Sequence, residues 1–129
     1  MDSLQNRILC VDDDDDTGQM MKVLLKMWDY DVVLADTAAD GFRLAQSQPF
    51  SLCLLDTSLP DESGLELCKR ICQLDGHAPV AFISGHARDV DKLQGLNAGA
   101  LAYLTKPVDF DLLEETMAWM IAKSSSQTS

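Results

Sequence analysis

Five short runs of apolar, β-prone residues recur along the chain, separated by longer stretches in which apolar and polar positions are mixed. The runs are residues 8–11, 31–35, 51–55, 80–83 and 101–104. The first, third and fourth runs are almost entirely apolar, which is typical of strands that are covered on both faces in a parallel sheet. The pattern therefore predicts five strands.

The stretches between the runs have the three-or-four spacing of amphipathic helices. The first, third and last helices have apolar stripes made of Met20, Met21, Leu24, Met27 and Trp28, of Leu65, Leu67, Cys68, Ile71 and Leu74, and of Leu112, Leu113, Met117, Met120 and Ile121. Residues 38–46 and 89–96 predict two shorter helices. Thr37 and Asp109 are suitable N-caps for the second and last helices. We interpret the Met and Trp side chains of these stripes as core residues.

Strands and helices thus alternate five times, which predicts an α/β sandwich with a parallel sheet and right-handed crossovers. The length of 129 residues fits one domain, and no internal linker is visible. We expect residues 1–123 to form this domain. Residues 124–129 are polar and are expected to be a frayed tail or the start of a linker.

Charge and composition narrow the function classes. The chain has 10 basic and 21 acidic residues, a net charge of -11, and no three adjacent basic residues, which argues against direct nucleic-acid binding. No signal peptide or membrane span is expected, because five aspartates interrupt the apolar pattern after residue 11. The four cysteines contain no CxxC pair and are interpreted as buried thiols. These features predict a soluble cytoplasmic domain.

Polar residues with reactive side chains follow four of the five runs. They are Asp12 and Asp13, then Asp56, then Ser84, and finally Thr105, Lys106 and Pro107. In open parallel sheets, sites lie beyond the carboxyl ends of the strands, where the strand order reverses. If the strand order is 2-1-3-4-5, the first and third strands are neighbours. The carboxylates of Asp12, Asp13 and Asp56 would then converge.

Three carboxylates so close together repel one another unless they are protonated or share a cation. Hard oxygen ligands with few other donors favour Mg²⁺. Lys106 would add a positive charge to the same cleft, and Ser84 would add a hydroxyl group. This combination suits the transfer of a phosphoryl group onto a carboxylate oxygen, with Asp56 as the nucleophile.

At these positions the sequence resembles the receiver domain of two-component response regulators, the family that includes the single-domain chemotaxis regulator. The resemblance spans residues 7 to about 121, and its motifs are Val11-Asp12-Asp13, Leu55-Asp56-Thr57-Ser58-Leu59-Pro60 with Gly64, Ile83-Ser84-Gly85 and Tyr103-Leu104-Thr105-Lys106-Pro107. It implies a flavodoxin-like, doubly wound (βα)5 three-layer sandwich with the strand order 2-1-3-4-5.

The resemblance also implies the chemistry. Asp56 corresponds to the phosphoacceptor, which takes its phosphoryl group from a histidine kinase or a histidine phosphotransfer protein. Asp12, Asp13, Asp56 and the backbone carbonyl of Ser58 correspond to the ligands of Mg²⁺. Ser58 and His86 stand at positions that influence the lifetime of the acyl phosphate. The family acts as a signalling switch with self-phosphorylation and slow autodephosphorylation, not as a metabolic enzyme.

The switch residues follow in the same way. Lys106 corresponds to the lysine that pairs with the phosphoryl group, and its bond to Pro107 is expected to be cis. Ser84 corresponds to the switch hydroxyl and Tyr103 to the switch aromatic. On phosphorylation, Ser84 would move towards the phosphoryl group and Tyr103 would turn inward. The surface of the fourth helix, fifth strand and fifth helix would then signal to an effector domain, a target protein or a second copy.

Other classes of protein and site could also explain the aspartate run. Asp13-x-Asp15-x-Thr17 matches the nucleophile motif of haloacid-dehalogenase-type phosphatases, but no acidic pair follows Lys106 at the end of a further strand, and Asp56 would be unexplained. An EF-hand fails in both registers, because Leu24 or Val23 takes the place of the bidentate Glu. A flavodoxin lacks its phosphate loop here. A receiver without phosphorylation is disfavoured by the complete set of site residues.

Overall fold

Each predicted run forms a strand in the computed structural model, which describes residues 6–126. The strands are β1 (Arg7–Val11), β2 (Asp31–Ala35), β3 (Leu52–Leu55), β4 (Val80–Ser84) and β5 (Ala102–Thr105). The helices are α1 (Asp15–Met27), α2 (Ala38–Ser47), α3 (Gly64–Cys72), α4 (Asp89–Asn97) and α5 (Phe110–Ser126). All strand pairs are parallel, in the order β2-β1-β3-β4-β5. The predicted doubly wound (βα)5 fold is confirmed.

Alternation along the strands divides the core into two layers, one on each face of the sheet. Leu9, Val11 and Leu55 pack on the face that α2 and α3 cover. Ile8 and Leu54 point the other way, into the layer formed with α1 and α5. The middle strands β1, β3 and β4 are therefore buried on both sides, as their apolar sequences predict.

The register of the strands sets the position of the site. Val11 at the end of β1 is paired with Leu55 at the end of β3, so the residues that follow them emerge side by side. Ser84 at the end of β4 is paired with Thr105 at the end of β5. The polar residues after these four strands therefore share one edge of the sheet.

The face that α1 buries differs from the predicted stripe. Met21 and Leu25 are buried, whereas Met20 is 36% exposed and Met27 is 72% exposed. The prediction that Met20 and Met27 belong to the core is wrong. Apolar residues occur on more than one side of this helix. The buried side consists of Gly18, Met21 and Leu25, which have the three-or-four spacing of a helix face. This face is shifted by one residue from one that would include Met20. Leu112, predicted in the α5 stripe, is likewise 47% exposed.

Both predicted N-caps are confirmed. The Thr37 hydroxyl accepts a hydrogen bond from Asp40 N at 3.1 Å, and Asp109 Oδ1 accepts one from Leu112 N at 3.0 Å.

Residues 15–27 are helical, which leaves no room for the twelve-residue loop of an EF-hand. No helix between residues 6 and 126 is long and apolar enough to span a membrane.

The last helix extends further along the chain than the sequence predicts. α5 continues to Ser126, so the first three residues of the expected tail 124–129 are helical, and residues 127–129, like residues 1–5, lie outside the described residues. The division at residue 123 stays a prediction.

Cys10, Cys53 and Cys68 are buried free thiols, as expected, and Cys72 is half-buried. Burial raises the pKa of Cys10 and of Cys53 to about 12.

Candidate functional site

Three carboxylates meet at the carboxyl edge of the sheet. The backbone extends the ladder there: Asp12 N donates to Ala35 O and Asp56 N donates to Val11 O, both at 3.0 Å. One carboxylate oxygen from each of Asp12, Asp13 and Asp56 lies within 4.8 Å of the other two. Asp12 and Asp56 are buried, whereas Asp13 is exposed. The predicted convergence is confirmed.

Lys106 reaches this cluster from the end of β5. Its Nζ lies 3.0 Å from Asp12 Oδ2 and 3.2 Å from Asp56 Oδ2. Its backbone is held by a 2.9 Å bond from Lys106 N to Ser84 O, and the Lys106–Pro107 peptide bond is cis, as expected. One ammonium group therefore bridges the two buried carboxylates.

Backbone amides occupy the remaining oxygens of the two buried carboxylates. Asp12 Oδ1 accepts from Asp14 N at 2.9 Å, and Asp56 Oδ1 accepts from Ser58 N at 3.1 Å. Burial raises the pKa of Asp12 above its usual value, although the bonds from Asp14 N and Lys106 oppose this. Burial also disfavours the charged form of Lys106, but the bonds and charges of Asp12 and Asp56 outweigh it and raise the pKa of this lysine. Lys106 is therefore positively charged at neutral pH.

The loop after β3 is closed around Asp56 by a glycine. Gly64 N donates to Thr57 O at 2.8 Å, and a Cβ at Gly64 would overlap the carbonyl oxygen of Asp56. Ser58 and Ser63 form an antiparallel bridge across the same loop. Only a residue without a side chain allows this approach, so Gly64 fixes the backbone that carries Asp56. The role of the Ser58 carbonyl as a metal ligand stays a prediction.

The two expected switch residues lie beside this cluster. Ser84 is fully buried, and its Oγ lies 2.6 Å from Thr57 Oγ1 and accepts from His86 N at 3.1 Å. Tyr103 donates from its hydroxyl to His86 O at 2.6 Å, and its ring lies 5.8 Å from that of Phe82. Among the described residues, neither hydroxyl group is bonded to the Asp56 carboxylate. Their switching roles stay predictions.

Two side-chain hydrogen bonds at the site are not predicted from the sequence. One is the bond between Thr57 and Ser84. The other joins Ser58 Oγ to His86 Nε2 at 3.1 Å, between the loop after β3 and the loop after β4. The sequence contains one signal for them, two hydroxyl residues directly after Asp56, but it does not show where these side chains point.

The donor set fits a hard divalent cation. The three carboxylates carry a formal charge of about -3, and Lys106 neutralises one unit, so a residual charge near -2 remains around closely spaced oxygen atoms. Carboxylate oxygens with few other donors suit Mg²⁺ better than softer metals. The Asp cluster therefore matches the acidic pocket that the sequence predicts.

The phosphatase alternative gains no support. Its motif would use Asp13 and Asp15 together, but Asp15 is exposed in the first turn of α1 and does not belong to the group of carboxylates. Asp56, which that alternative leaves without a role, lies within the cluster. The geometry favours the account centred on Asp56.

Comparisons with known proteins agree with this geometry. The family model described as the response regulator receiver domain matches residues 8–118. The response regulator protein PilR of Pseudomonas aeruginosa is 37% identical over 114 residues, which cover 88% of this chain and 26% of PilR. The transcriptional regulatory protein ZraR of Escherichia coli is 33% identical over 119 residues, which cover 92% of this chain and 27% of ZraR. The chain thus spans about a quarter of the length of these relatives.

Solved structures match over nearly their whole length. A CheY-like response regulator receiver domain protein from Methanospirillum hungatei superposes with a TM-score of 0.88 at 32% identity, covering 95% of this chain and 98% of the other. A two-component response regulator from Clostridium difficile superposes with a TM-score of 0.87 at 27% identity, covering 92% and 97%. The chain therefore belongs to the response regulator receiver domain family, the signalling switches of two-component systems.

Proposed function

We propose that this domain is switched by phosphorylation of Asp56, with a histidine kinase or a histidine phosphotransfer protein as the phosphohistidine donor. The observation that carries the proposal is the position of Asp56: its carboxylate lies against Asp12 and Asp13 and is bonded to Lys106. A carboxylate nucleophile needs nearby positive charge to receive a phosphoryl group, and this site provides both ligands for a cation and a fixed ammonium group.

In the transfer step, an Asp56 carboxylate oxygen forms a bond to phosphorus. The P–N bond of the donor breaks, its electron pair stays on the imidazole nitrogen, and that nitrogen takes up a proton. Ser58 N and Lys106 Nζ hold the two oxygens of Asp56 before transfer, which orients the nucleophile. Lys106 then neutralises part of the added negative charge.

Asp12, Asp13, Asp56 and the backbone carbonyl of Ser58 would hold Mg²⁺. When bound, the ion supplies Lewis-acid charge for the phosphoryl oxygens. The burial that raises the pKa of Asp12 indicates that its negative charge is incompletely compensated by Lys106 and Asp14 N alone. A divalent cation would supply that compensation.

The output follows from the contacts around Ser84. The Ser84 hydroxyl would move and donate to the phosphoryl group. Because Ser84 Oγ accepts from His86 N, and His86 O accepts from the Tyr103 hydroxyl, this movement would be passed to His86 and then to Tyr103. The surface formed by α4, β5 and α5 would repack. Apolar side chains on α4, including Leu93 at 57% exposure, are available there for an effector domain, a target protein or a second copy.

The wider setting is also part of the proposal. Relatives named as response regulators and transcriptional regulators are more than three times as long as this chain, which supports a receiver that controls a separate output. The net charge of -11 supports an output that does not require this domain to contact nucleic acid. Free thiols at all four cysteines suit the cytoplasm.

Intact mass spectrometry after exposure to acetyl phosphate and Mg²⁺ tests the proposal. We expect a mass gain of one phosphoryl group, no gain in Asp56→Asn and no gain when a chelator removes the metal. Asp15→Asn is the matched control, because Asp15 is an exposed aspartate of the same acidic run outside the cluster. No gain in the wild type, or a gain that survives Asp56→Asn, would contradict the proposal.

The donor class is tested separately with phosphoramidate, whose P–N bond resembles that of phosphohistidine. Phosphorylation by this compound at Asp56 supports a phosphohistidine donor. If acetyl phosphate modifies Asp56 but phosphoramidate does not, the domain is a phosphoacceptor and the proposed donor class is wrong.

A further inference from the structure

We propose that Thr57 is a positioning residue that holds the Ser84 hydroxyl in the unphosphorylated state. It would compete with the phosphoryl group for the hydrogen bond that the Ser84 hydroxyl donates. This inference rests on the proposed function, because it concerns how Ser84 becomes available once Asp56 is phosphorylated. Thr57 directly follows Asp56, so the competing acceptor is carried by the same loop as the phosphoacceptor.

The geometry of Ser84 leaves it little freedom. Its side chain is fully buried at the end of β4, and its Oγ has two hydrogen-bond partners among the described residues, Thr57 Oγ1 at 2.6 Å and His86 N at 3.1 Å. A backbone N–H can only donate, so Ser84 Oγ must accept from His86.

A serine hydroxyl carries one proton and can donate one hydrogen bond. If Thr57 were the donor, the Ser84 proton would be left without an acceptor in a fully buried position, which is costly. The half-buried Thr57 can place its own proton in solvent instead. We therefore assign Ser84 as the donor and Thr57 as the acceptor.

A phosphoryl group on Asp56 would offer strong acceptor oxygens to the same donor. Because Ser84 has a single proton, it cannot donate to Thr57 and to the phosphoryl group at once. The bond to Thr57 must break when the new bond forms. Thr57 therefore stabilises the unphosphorylated arrangement and lowers the affinity of the site for a phosphoryl group.

The consequences extend beyond Ser84. Its Oγ is bonded to His86 N, the carbonyl of His86 accepts from Tyr103, and the His86 ring is bonded to Ser58 Oγ. Release of Ser84 from Thr57 thus loosens one of the contacts that hold the loop between β4 and α4. In this way Thr57 sets how readily phosphorylation is passed to Tyr103.

Thr57→Val tests the inference, since valine keeps the branched shape and removes the acceptor. The probe is beryllofluoride, a phosphoryl mimic, titrated at saturating Mg²⁺ and followed by the NMR amide signal of Gly85. We expect Thr57→Val to bind it about 3- to 10-fold more tightly than the wild type, the range for loss of one hydrogen bond from the unbound state. Simple damage to the fold would weaken binding instead.

Two further variants separate positioning from packing. Thr57→Ser restores an acceptor and is expected to bind within about twofold of the wild type. Ser51→Ala is the matched control: it removes a 2.8 Å side-chain bond to Asn6 at the opposite edge of the sheet and should not change the affinity. Equal affinity of Thr57→Val and wild type would overturn the inference.

A double-mutant cycle with Ser84→Ala gives the sharpest result. Without the Ser84 proton there is nothing to compete for, so Thr57→Val should have no effect in that background. An undiminished tightening there would overturn the inference. If the wild type binds no beryllofluoride and gains no phosphoryl mass, the proposed function fails as well. Normal phosphorylation with unchanged affinity in Thr57→Val overturns the role of Thr57 alone.

Discussion

Lys106 determines the balance of charge at the site. Its ammonium group lies within 3.2 Å of both buried carboxylates and is the cation paired with them among the described residues. It therefore occupies the place between Asp12 and Asp56 while also repelling any further cation. If Asp56 is phosphorylated as proposed, the same ammonium group would pair with the added phosphoryl group.

We expect Lys106→Ala to retain Mg²⁺ binding and to tighten it by up to about tenfold, because a competing positive charge is removed. Phosphorylation should then no longer change the environment of Tyr103. A Mg²⁺ titration and the NMR signals of Tyr103, each with and without acetyl phosphate, measure the two effects. Lys69→Ala is the control, since Lys69 pairs with Glu66 on the exposed side of α3. Loss of Mg²⁺ binding, or normal switching without Lys106, would show that this account of the lysine is wrong.

At the scale of single residues, the acidic part of the site could be predicted from sequence and the hydroxyl part could not. Asp12, Asp56 and Lys106 directly follow strands, and the ends of parallel strands meet by construction of the sheet. The contact between Thr57 and Ser84 depends on side-chain direction within a loop. The backbone of that loop includes the close approach of Gly64 to Asp56, and the sequence does not show how such a backbone directs each side chain.

At the scale of elements, α1 shows how a helix with apolar residues on several sides chooses its buried face. Met21 is 1% exposed and packs with Leu25 against the sheet, whereas Met27, six residues later, is 72% exposed. The choice is made by the sheet and by α5, which also contributes to this layer. Periodicity alone predicts a stripe, but tertiary packing decides its centre.

This difference predicts unequal effects of the same substitution. Met21→Ala should lower the free energy of unfolding by about 2–5 kcal/mol, because it leaves a cavity in the core. Met27→Ala is a matched control on the same helix and should change it by less than about 0.5 kcal/mol. Urea denaturation of the three proteins measures both values. Similar losses for the two variants would mean that the buried face of α1 is misplaced.

A carboxylate also links two elements away from the cluster of Asp12, Asp13 and Asp56. Asp61, in the loop after β3, accepts from Ala38 N at 2.8 Å and from Ala39 N at 3.0 Å, at the N-terminus of α2. These two backbone bonds lower the pKa of Asp61 below its usual value of 3.8. The ionised form is thus favoured in the folded protein, where it complements the helix dipole.

The pH dependence follows from that direction. A carboxyl group whose pKa is lower in the folded state stabilises the fold fully above its unfolded pKa, and the contribution is lost as pH falls through the folded value. Thermal melts should show wild type more stable than Asp61→Asn at neutral pH, with the difference shrinking below about pH 4. Asp75→Asn, at an exposed position, is the matched control and should change the melting temperature little. A gap that widens in acid would contradict the sign.

At the scale of the whole molecule, the two apolar layers hold the sheet rigidly while the chemistry is confined to one edge. β1 and β3 bring the carboxylates, β5 brings the lysine, and β4 lies between them and carries Ser84. Because β4 and β5 are paired at Ser84 and Thr105, a change at Asp56, the proposed phosphoacceptor, would reach the surface of α4, β5 and α5 over a short distance. The strand order therefore connects the site to the proposed output.

The order of the sheet could itself be predicted, since the fully apolar runs mark the strands buried on both faces and the motifs match those of a known family. The extent of α5 could not, because its last residues are serines, which give no apolar signal. That helix continues by backbone hydrogen bonding, which side-chain patterns report only indirectly.

We propose that Asp56, and no other aspartate of the acidic cluster, carries the phosphoryl group. Borohydride reduces an aspartyl phosphate to homoserine, so peptide mass spectrometry after phosphorylation and reduction locates the modified residue. We expect homoserine at position 56 alone. Homoserine at position 12 or 13, with Asp56 unmodified, would contradict it.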